Sequence, residues 1–401
     1  MLELEDALSH ILAALSPPVG ERVPLRDAHQ RVLSENIAAP MALPRFDNSA
    51  MDGYAVRAED VASAKPGSPV TLRLVGRVAA GEVFTGELSR GGCVRLFTGS
   101  PLPRGTDAVV MQEHTRTDTA APDVVVVLDS AQPWENVRRR GEDVACGATL
   151  IEGGEILTPE KIALLAATGV GEVTVGKCPV VGLLATGSEL REAGQPLAPG
   201  QIYESNRDAL APLVTRASGL PVIFPLVPDA PEATRAALEC ALAKCDVVVT
   251  SGGVSVGEMD FVKVAFESLG GQLEFWKVAI KPGRPFVFGR HGEKFLFGLP
   301  GNPVSALVTF LLLVRPAILR WQGARDIALP AYPGVLTEPL VNSGERRHFM
   351  RVRVDHSGKI SSAGRQVSHA LGSLAAANGL VDVPPRTTLA ANSHVTVLRW
   401  D

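Results

Sequence analysis

Leu4, Leu8, Ile11, Leu12 and Leu15 recur at helical spacing, so the chain opens on an amphipathic helix, which Pro17-Pro18 ends because proline lacks the amide a helix needs. We read it as an edge or dimerisation helix. From about residue 40 to 140 the pattern changes to short β-rich runs, VTLRLVGRV, CVRLF, DAVVMQ and VVVVL, separated by glycine and proline turns. ILTPEKIALLAATGV then returns to helix, with Thr158 as cap, Pro159 at the first helical position and Gly169 at the stop. From residue 178 strands and helices alternate: PVVGLLAT, SNRDALAPLVTRAS, LPVIFPLV, DAPEATRAALECALAK, DVVVTSGG, a helix starting near Glu258, a strand pair around FWKVAI and FVFG, KFLFGLPGNP, and a long helix to about Trp321. This alternation predicts a parallel sheet covered on both faces, with ligand loops at the carboxyl ends of its strands. Beyond residue 325 a period-two pattern predicts a small antiparallel β unit. The fold class is multidomain α/β. It comprises a discontinuous helical linker domain (1–40 and 141–176), an inserted β-rich domain (41–140), a central parallel α/β sandwich domain (177–325) and a small C-terminal β-barrel-like domain (326–401).

A length of 401 residues suits roughly two to four domains. A hydrophobic share of 46% against 20% charged excludes global disorder. The net charge of −4, with no basic tail or stripe, argues against nucleic acid as a partner but leaves room for a local cationic pocket. The first helix carries acids where a secretion signal carries basic residues. The longest apolar stretch, Ala306 to Val314, is interrupted by Thr309 and closed by Arg315, short of the roughly 20 residues that cross a bilayer. No membrane association is expected. Five scattered cysteines without a C-x-x-C pair favour free thiols in a reducing cytoplasm over disulfides or structural zinc.

Five clusters carry candidate chemistry. PRFDNSAMDGYAV (44–56) crowds Asp47, Asn48, Ser49 and Asp52 into a turn-prone stretch, richer in polar groups than an Asx turn needs. TSGGVSVGEMDF (250–261) lies between a buried-looking strand and a helix. There Gly252, Gly253 and Gly257 let amides turn toward an anion beside Ser251 and Ser255, although the run is neither a G-x-x-x-x-G-K-[ST] loop nor a G-x-G-x-x-G fingerprint. GLPGNPVSALVTF (298–310) repeats the strand, glycine loop and helix, with Asn302 as cap, and adds Pro300, Gly301 and Ser305 to the cradle. In WKVAIKPGRPFVFG, Lys277, Lys281 and Arg284 surround a Pro-Gly turn, and Lys281 is the better placed to meet a dense anion. Glu189, Asp229 and Asp260 leave the ends of predicted strands, and Asp143 lies in RRRGEDV; oxygen ligands spaced around an anion pocket are what Mg²⁺ needs. Together these read as metal-assisted phosphate chemistry.

The runs PRFDNSAMDGYAV, RRRGEDV, TSGGVSVGEMDF, IKPGRPFVFG and GLPGNPVSA, in this order and spacing, resemble the MoeA family of molybdopterin molybdenumtransferases, which includes the E domain of gephyrin. The resemblance spans nearly the whole chain. It implies an L-shaped homodimer of four-domain subunits with a central domain of molybdopterin-binding type. It also implies the last step of molybdenum cofactor synthesis, in which adenylylated molybdopterin and molybdate give the cofactor and AMP with Mg²⁺. By position it assigns catalysis to Asp52, Asp143, Glu189, Asp229, Asp260, Lys277 and Lys281, and metal ligation to Glu189, Asp229 and Asp260. Substrate binding falls to the two glycine loops, to Thr98 in RLFTGSPLP, to Arg351 in HFMR and to Ser368 in QVSHALGSL. The implied pocket lies at the dimer interface, where the domain holding Asp52 reaches over the partner's α/β domain. Two positions depart from the family: Ala230 follows Asp229 where a second Asp is common, and Phe261 replaces a usual Tyr.

Molybdate and a phosphoanhydride are both anionic, so amide loops and Lys277, Lys281 and Arg351 would collect them while Mg²⁺ neutralises the pyrophosphate. Either a molybdate oxygen or a positioned water attacks the adenylate phosphorus, and the freed dithiolene captures molybdenum. A MogA-like molybdopterin adenylyltransferase is the expected donor, and molybdenum enzymes or their chaperones the acceptors. The alternatives are a molybdopterin adenylyltransferase and a non-catalytic dimeric binding scaffold of gephyrin type.

Overall fold

The structure, a computed structural model, describes residues 1–79, 81–253 and 261–400. The alternating segment folds into a six-stranded sheet of β1 (Val180–Ala185), β2 (Leu220–Ile223), β3 (Val247–Ser251), β4 (Gln272–Trp276), β5 (Val287–His291) and β6 (Lys294–Leu299), in the order β2-β1-β3-β6-β5-β4. The first four in that order are parallel, and β5 alone is reversed, antiparallel to both its neighbours β6 and β4, so the predicted parallel sheet carries one antiparallel strand near its edge. The connections explain it: only Gly292 and Glu293 separate β5 from β6, and the chain between β4 and β5 is too short for a crossover of a dozen or more residues.

Two apolar layers cover the sheet. Phe286, Phe288, Phe295 and Phe297 pack on one face beneath the helix α5, which spans Pro303–Trp321, and beside α2 (Asn206–Arg216). On the other face lie α3 (Pro231–Lys244) and α4 (Val262–Ser268). The helix placed near Glu258 is seen from Val262 onward, and Glu258 lies outside the described residues. α5 runs unbroken through Thr309 and Arg315 to Trp321, as predicted. The Thr309 hydroxyl donates to the carbonyls of Ser305 (2.8 Å) and Ala306 (3.1 Å), and a π turn at Phe310–Val314 joins the helical halves. By length and composition α5 could cross a bilayer, at a mean hydropathy of 1.6, but 78% of that window is buried inside the fold.

The opening helix α1 (Leu4–Ala14) also belongs to this body. Leu4, Ala7 and Ile11 enter the same core as Phe275 and Val278, so residues 1–14 pack on the α/β unit, not within the helical linker domain where the sequence reading set them. The linker unit proper pairs Gly20–Pro24 with Glu172–Gly176 and Ile37–Ala38 with Thr149–Ile151. Its helix, Pro159–Ala167, is capped by the Thr158 hydroxyl, and it has its own core of Leu33, Leu157, Leu165 and Val175. Between the halves of this unit stands the β-rich body, a six-stranded sheet containing Gly53–Val56 and Gly92–Leu96.

At the C-terminus, Arg347–Val354 pairs with both Lys359–Ser362 and Gly379–Val383, which closes a small barrel through Ala331–Leu336 and His394–Arg399. One pair in it, Val335–Leu336 with Lys359–Ile360, is parallel. Ile280–Lys281 leaves the α/β sheet and joins this barrel edge, in parallel with Arg347–His348.

Candidate functional site

Because β1, β2, β3 and β6 are parallel, the loops after them converge on one sheet end, as the glycine motifs predicted. They line a cavity of roughly 720 Å³ with Glu189, Asp229, Ser251, Gly252, Gly253, Pro300, Gly301 and Asn302 among its walls. That volume suits a ligand of nucleotide size.

The glycines are required by geometry. Gly252 has φ +88° and a Cβ there would lie 2.7 Å from the Thr186 carbonyl oxygen; Gly253 has φ +64° and a Cβ would meet Thr186 Oγ1 at 2.8 Å. The two amides differ in use. Gly252 donates to the Leu299 carbonyl at 3.1 Å and is spent on the turn, whereas Gly253 makes no hydrogen bond among the described residues and is the free donor. The second loop leads into α5 with Pro303 at its first position, but the Asn302 side chain makes no capping bond, so Asn302 is at the cap position without doing the capping. Ser305 is buried in the first turn. Ser255, Gly257 and Asp260 lie outside the described residues.

The acids follow the strand ends. Asp229 Oδ2 accepts from the Ser188 amide at 3.0 Å and the Asp229 amide donates to Ser188 Oγ at 3.0 Å, which ties the loops after β1 and β2 and leaves Oδ1 available. Glu189 is exposed two residues beyond Gly187. No cluster of three or more His, Cys, Asp or Glu that could hold a metal occurs among the described residues, and no Lys or Arg is among the cavity's walls. The cavity thus pairs amide donors with carboxylates, and needs a cation from elsewhere to hold a multiply charged anion.

Of the predicted basic residues, Lys281 and Arg351 belong to the barrel, whereas Lys277 directly follows β4 of the α/β sheet. Lys277 is half-buried with φ +120°, its amide bonded to the Phe286 carbonyl, and Lys281 is exposed on the barrel edge. Arg351 is fully buried; its Nη2 donates to the carbonyls of Arg365 (2.5 Å) and Val367 (3.3 Å), while Nε and Nη1 have no partner among the described residues. Burial depresses its pKa. The segment it holds runs on to Ser368, whose carbonyl accepts from the Val304 amide at 3.2 Å, and then to His369 and Leu371, which line the cavity. Arg351 therefore anchors a strap whose far end walls the site.

Asp52, Thr98 and Asp143 are elsewhere. The Thr98 amide and hydroxyl both donate to Asp52 Oδ1 at 2.8 Å, and these two bonds, the amide's the larger, hold the Asp52 carboxyl below its ordinary range. Arg95 stacks over Tyr54 (5.0 Å) and Phe97 (5.4 Å) beside them. Asp143 is exposed, its amide bonded to the Leu43 carbonyl. None of the three lines the cavity of its own chain.

Sequence reasoning missed Glu204, Asn206 and Arg207. Glu204 is 5% exposed and accepts from the amides of Asn206 (2.5 Å) and Arg207 (3.0 Å) and from Arg207 Nε (2.9 Å). It does the capping that Ser205, at the cap position, does not. An acid three residues before an arginine at a helix start was the available signal.

Residues 2–169 match the family described as MoeA N-terminal region (domain I and II), residues 182–320 the family described as Probable molybdopterin binding domain, and residues 333–400 the MoeA C-terminal region (domain IV). A molybdopterin molybdenumtransferase of Haemophilus influenzae is 39% identical over 99% of this chain and 98% of its own. Molybdopterin molybdenumtransferase 2 of Mycobacterium tuberculosis is 42% identical over 94% of each. The crystal structure of a molybdopterin biosynthesis protein from Pyrococcus horikoshii superposes over 100% of both chains with a TM-score of 0.84 at 32% identity.

Proposed function

The chain belongs to the MoeA family of molybdopterin molybdenumtransferases, and on that ground we propose that it inserts molybdenum from molybdate into adenylylated molybdopterin, releasing AMP and the molybdenum cofactor. The observation that carries the chemistry is the division of charge at the sheet end: the free Gly253 amide and the start of α5 share one cavity with Glu189 and Asp229, two carboxylates with no cationic partner among the described residues. Such a site suits an anion held together with a divalent cation. Hard carboxylate oxygens fit Mg²⁺. Glu189 and Asp229 Oδ1 would hold it, with Asp260 as a third ligand, and when bound the ion supplies charge neutralisation at the phosphoanhydride.

The Gly253 amide and the amino end of α5 bind phosphate oxygens, and Lys277, Lys281 and the Arg351 strap gather the second oxyanion. Attack by a molybdate oxygen on the adenylate phosphorus would break the phosphoanhydride to give adenylyl molybdate and the molybdopterin phosphate, and the two dithiolene thiols would then displace AMP and water from molybdenum; attack by a positioned water would give AMP and molybdopterin directly, and the thiols would displace two molybdate oxygens as water. Asp52, kept ionised by Thr98, enters from a second copy of the chain; that these residues do not line the cavity of their own chain supports a homodimer. The donor is a MogA-like adenylyltransferase, the acceptors are molybdenum enzymes or their chaperones, and five unpaired thiols support a cytoplasmic setting.

The test is product stoichiometry. With adenylylated molybdopterin, molybdate and Mg²⁺, one AMP is expected per cofactor formed. Pyrophosphate release from ATP and free molybdopterin would instead identify an adenylyltransferase, and binding without turnover a scaffold.

A further inference from the structure

We infer that Asn206 is a positioning residue that presets the Ser251 hydroxyl as a hydrogen-bond donor to an oxyanion in the cavity. The inference rests on the anion-binding reading above and adds to it the residue that orients one of its donors. Asn206 Nδ2 lies 2.8 Å from the Gly301 carbonyl oxygen and 2.5 Å from Ser251 Oγ. A carbonyl oxygen only accepts, so the nitrogen of the amide and not its oxygen faces Gly301. That nitrogen has two hydrogens, and the second points to Ser251 Oγ, which accepts it. The hydroxyl keeps one proton of its own to give elsewhere.

Ser251 is 3% exposed, has no acceptor for that proton among the described residues, and lines the cavity. Leaving it unmade is costly in a buried site, and a phosphate or oxometalate oxygen is the acceptor that the cavity's chemistry selects. Asn206 is in turn held from behind. Its amide donates to Glu204, and Glu204 is locked by the buried Arg207 guanidinium, so the direction of one hydroxyl is imposed by an ion pair in the first turn of α2.

The experiment uses the full chain in the turnover assay, varying molybdate at saturating adenylylated molybdopterin and then the reverse. Ser251→Ala removes the donor and leaves the Asn206–Gly301 bond. The KM of whichever oxyanion occupies the subsite should rise about ten- to hundredfold with a smaller change in kcat. Which KM moves tells oxometalate from phosphate. Asn206→Asp puts an acceptor where the amide donated, draws the Ser251 proton to itself, and should raise the same KM similarly. On top of Ser251→Ala it should add clearly less than it costs alone, because no proton is left to orient and only the lost Gly301 bond and the added charge remain. Full additivity of the two substitutions, or equal losses in kcat and both KM values, would overturn the inference, since Asn206 would then only tie the loops together. Should Asn206→Asp fail to fold, Ser251→Ala decides alone, and unchanged KM values in both arms refute the subsite. If the unmodified protein releases no AMP, the activity proposed above fails; equilibrium binding of molybdate and of AMP to the unmodified and Ser251→Ala proteins then still reads the subsite.

Discussion

Replacing Arg207 by Met is expected to loosen the α/β unit by more than any single surface change. The Arg207 guanidinium is 2% exposed and donates to Glu204 (2.9 Å), to Glu192 (2.9 Å) and to the Phe224 carbonyl (2.5 Å). Burial works against its charge, and the bonds to Glu192 and Glu204 outweigh that, so its pKa is raised. The Glu192 carboxylate is half exposed and its share is within about 1 kcal/mol. Glu204 is different. Without Arg207 its carboxylate stays buried against two backbone amides with no countercharge, and breaking a buried pair from one side costs about 3–5 kcal/mol. Adding Glu204→Gln removes the stranded charge while keeping an acceptor for those amides, and should restore about 2 kcal/mol. The assay is denaturant-dependent hydrogen exchange of amides in α2 and β1, which reports this unit alone where a whole-chain melt would mix several cooperative bodies. A loss below about 1 kcal/mol, or no recovery with Glu204→Gln, would refute the reasoning.

Further outcomes follow from other parts of the site. Gly252→Ala, which forces a Cβ to 2.7 Å from the Thr186 carbonyl at φ +88°, should displace the neighbouring free amide of Gly253 and lower kcat/KM at least about tenfold, measured by AMP release. Thr98→Val removes one of the two bonds that hold Asp52 ionised, so the Asp52 pKa rises toward its ordinary range and the acidic limb of the kcat/KM profile moves to higher pH; an unmoved limb would detach Asp52 from catalysis. His348 is 3% exposed with both ring nitrogens unpartnered among the described residues, and burial, aided by Lys281, Arg351 and Arg346, pushes its pKa down to about 4. Held neutral when folded, it favours the fold fully above its unfolded pKa of about 6.5. That stability is lost as pH falls from there toward 4, by about 3 kcal/mol in all, and exchange of barrel amides should show the slope vanish in His348→Leu.

Much of this was legible in the sequence, and the misses have physical causes. The helical spacing of Leu4, Leu8 and Ile11 defines a helix with an apolar stripe, but a stripe does not say which core it covers, and α1 went to the α/β unit. The runs FWKVAI and FVFG are apolar on both faces, so nothing in their pattern tells antiparallel from parallel; the two-residue turn at Gly292 does. Thr309 and Arg315 interrupt the apolar run but not the helix, because a back-bonded hydroxyl and an arginine reaching carbonyls at Ile327 and Ala328 keep their polar groups bonded. At the site, the glycine loops were visible because strained turns restrict the residue type. Glu204, Asn206 and Arg207 were not, since charges in a first helical turn usually face water, whereas here contacts with Ser251, Gly301 and Phe224 make the turn interior. The strap from Arg365 to Leu371 has no period of either kind, and its role depends on a buried arginine on a distant strand.

Whether the Asp52–Thr98 cluster of one chain completes the cavity of another is tested most directly by mixing two inactive proteins, Asp52→Asn and Glu189→Gln, under conditions that allow subunit exchange. A site shared across two copies predicts that half the dimers become mixed and that one of their two sites is intact, so AMP release recovers to about one quarter of the unmodified rate. No recovery, with exchange verified by tagged subunits, would place both carboxylates in one chain's site or Asp52 outside catalysis, and would contradict the two-copy site.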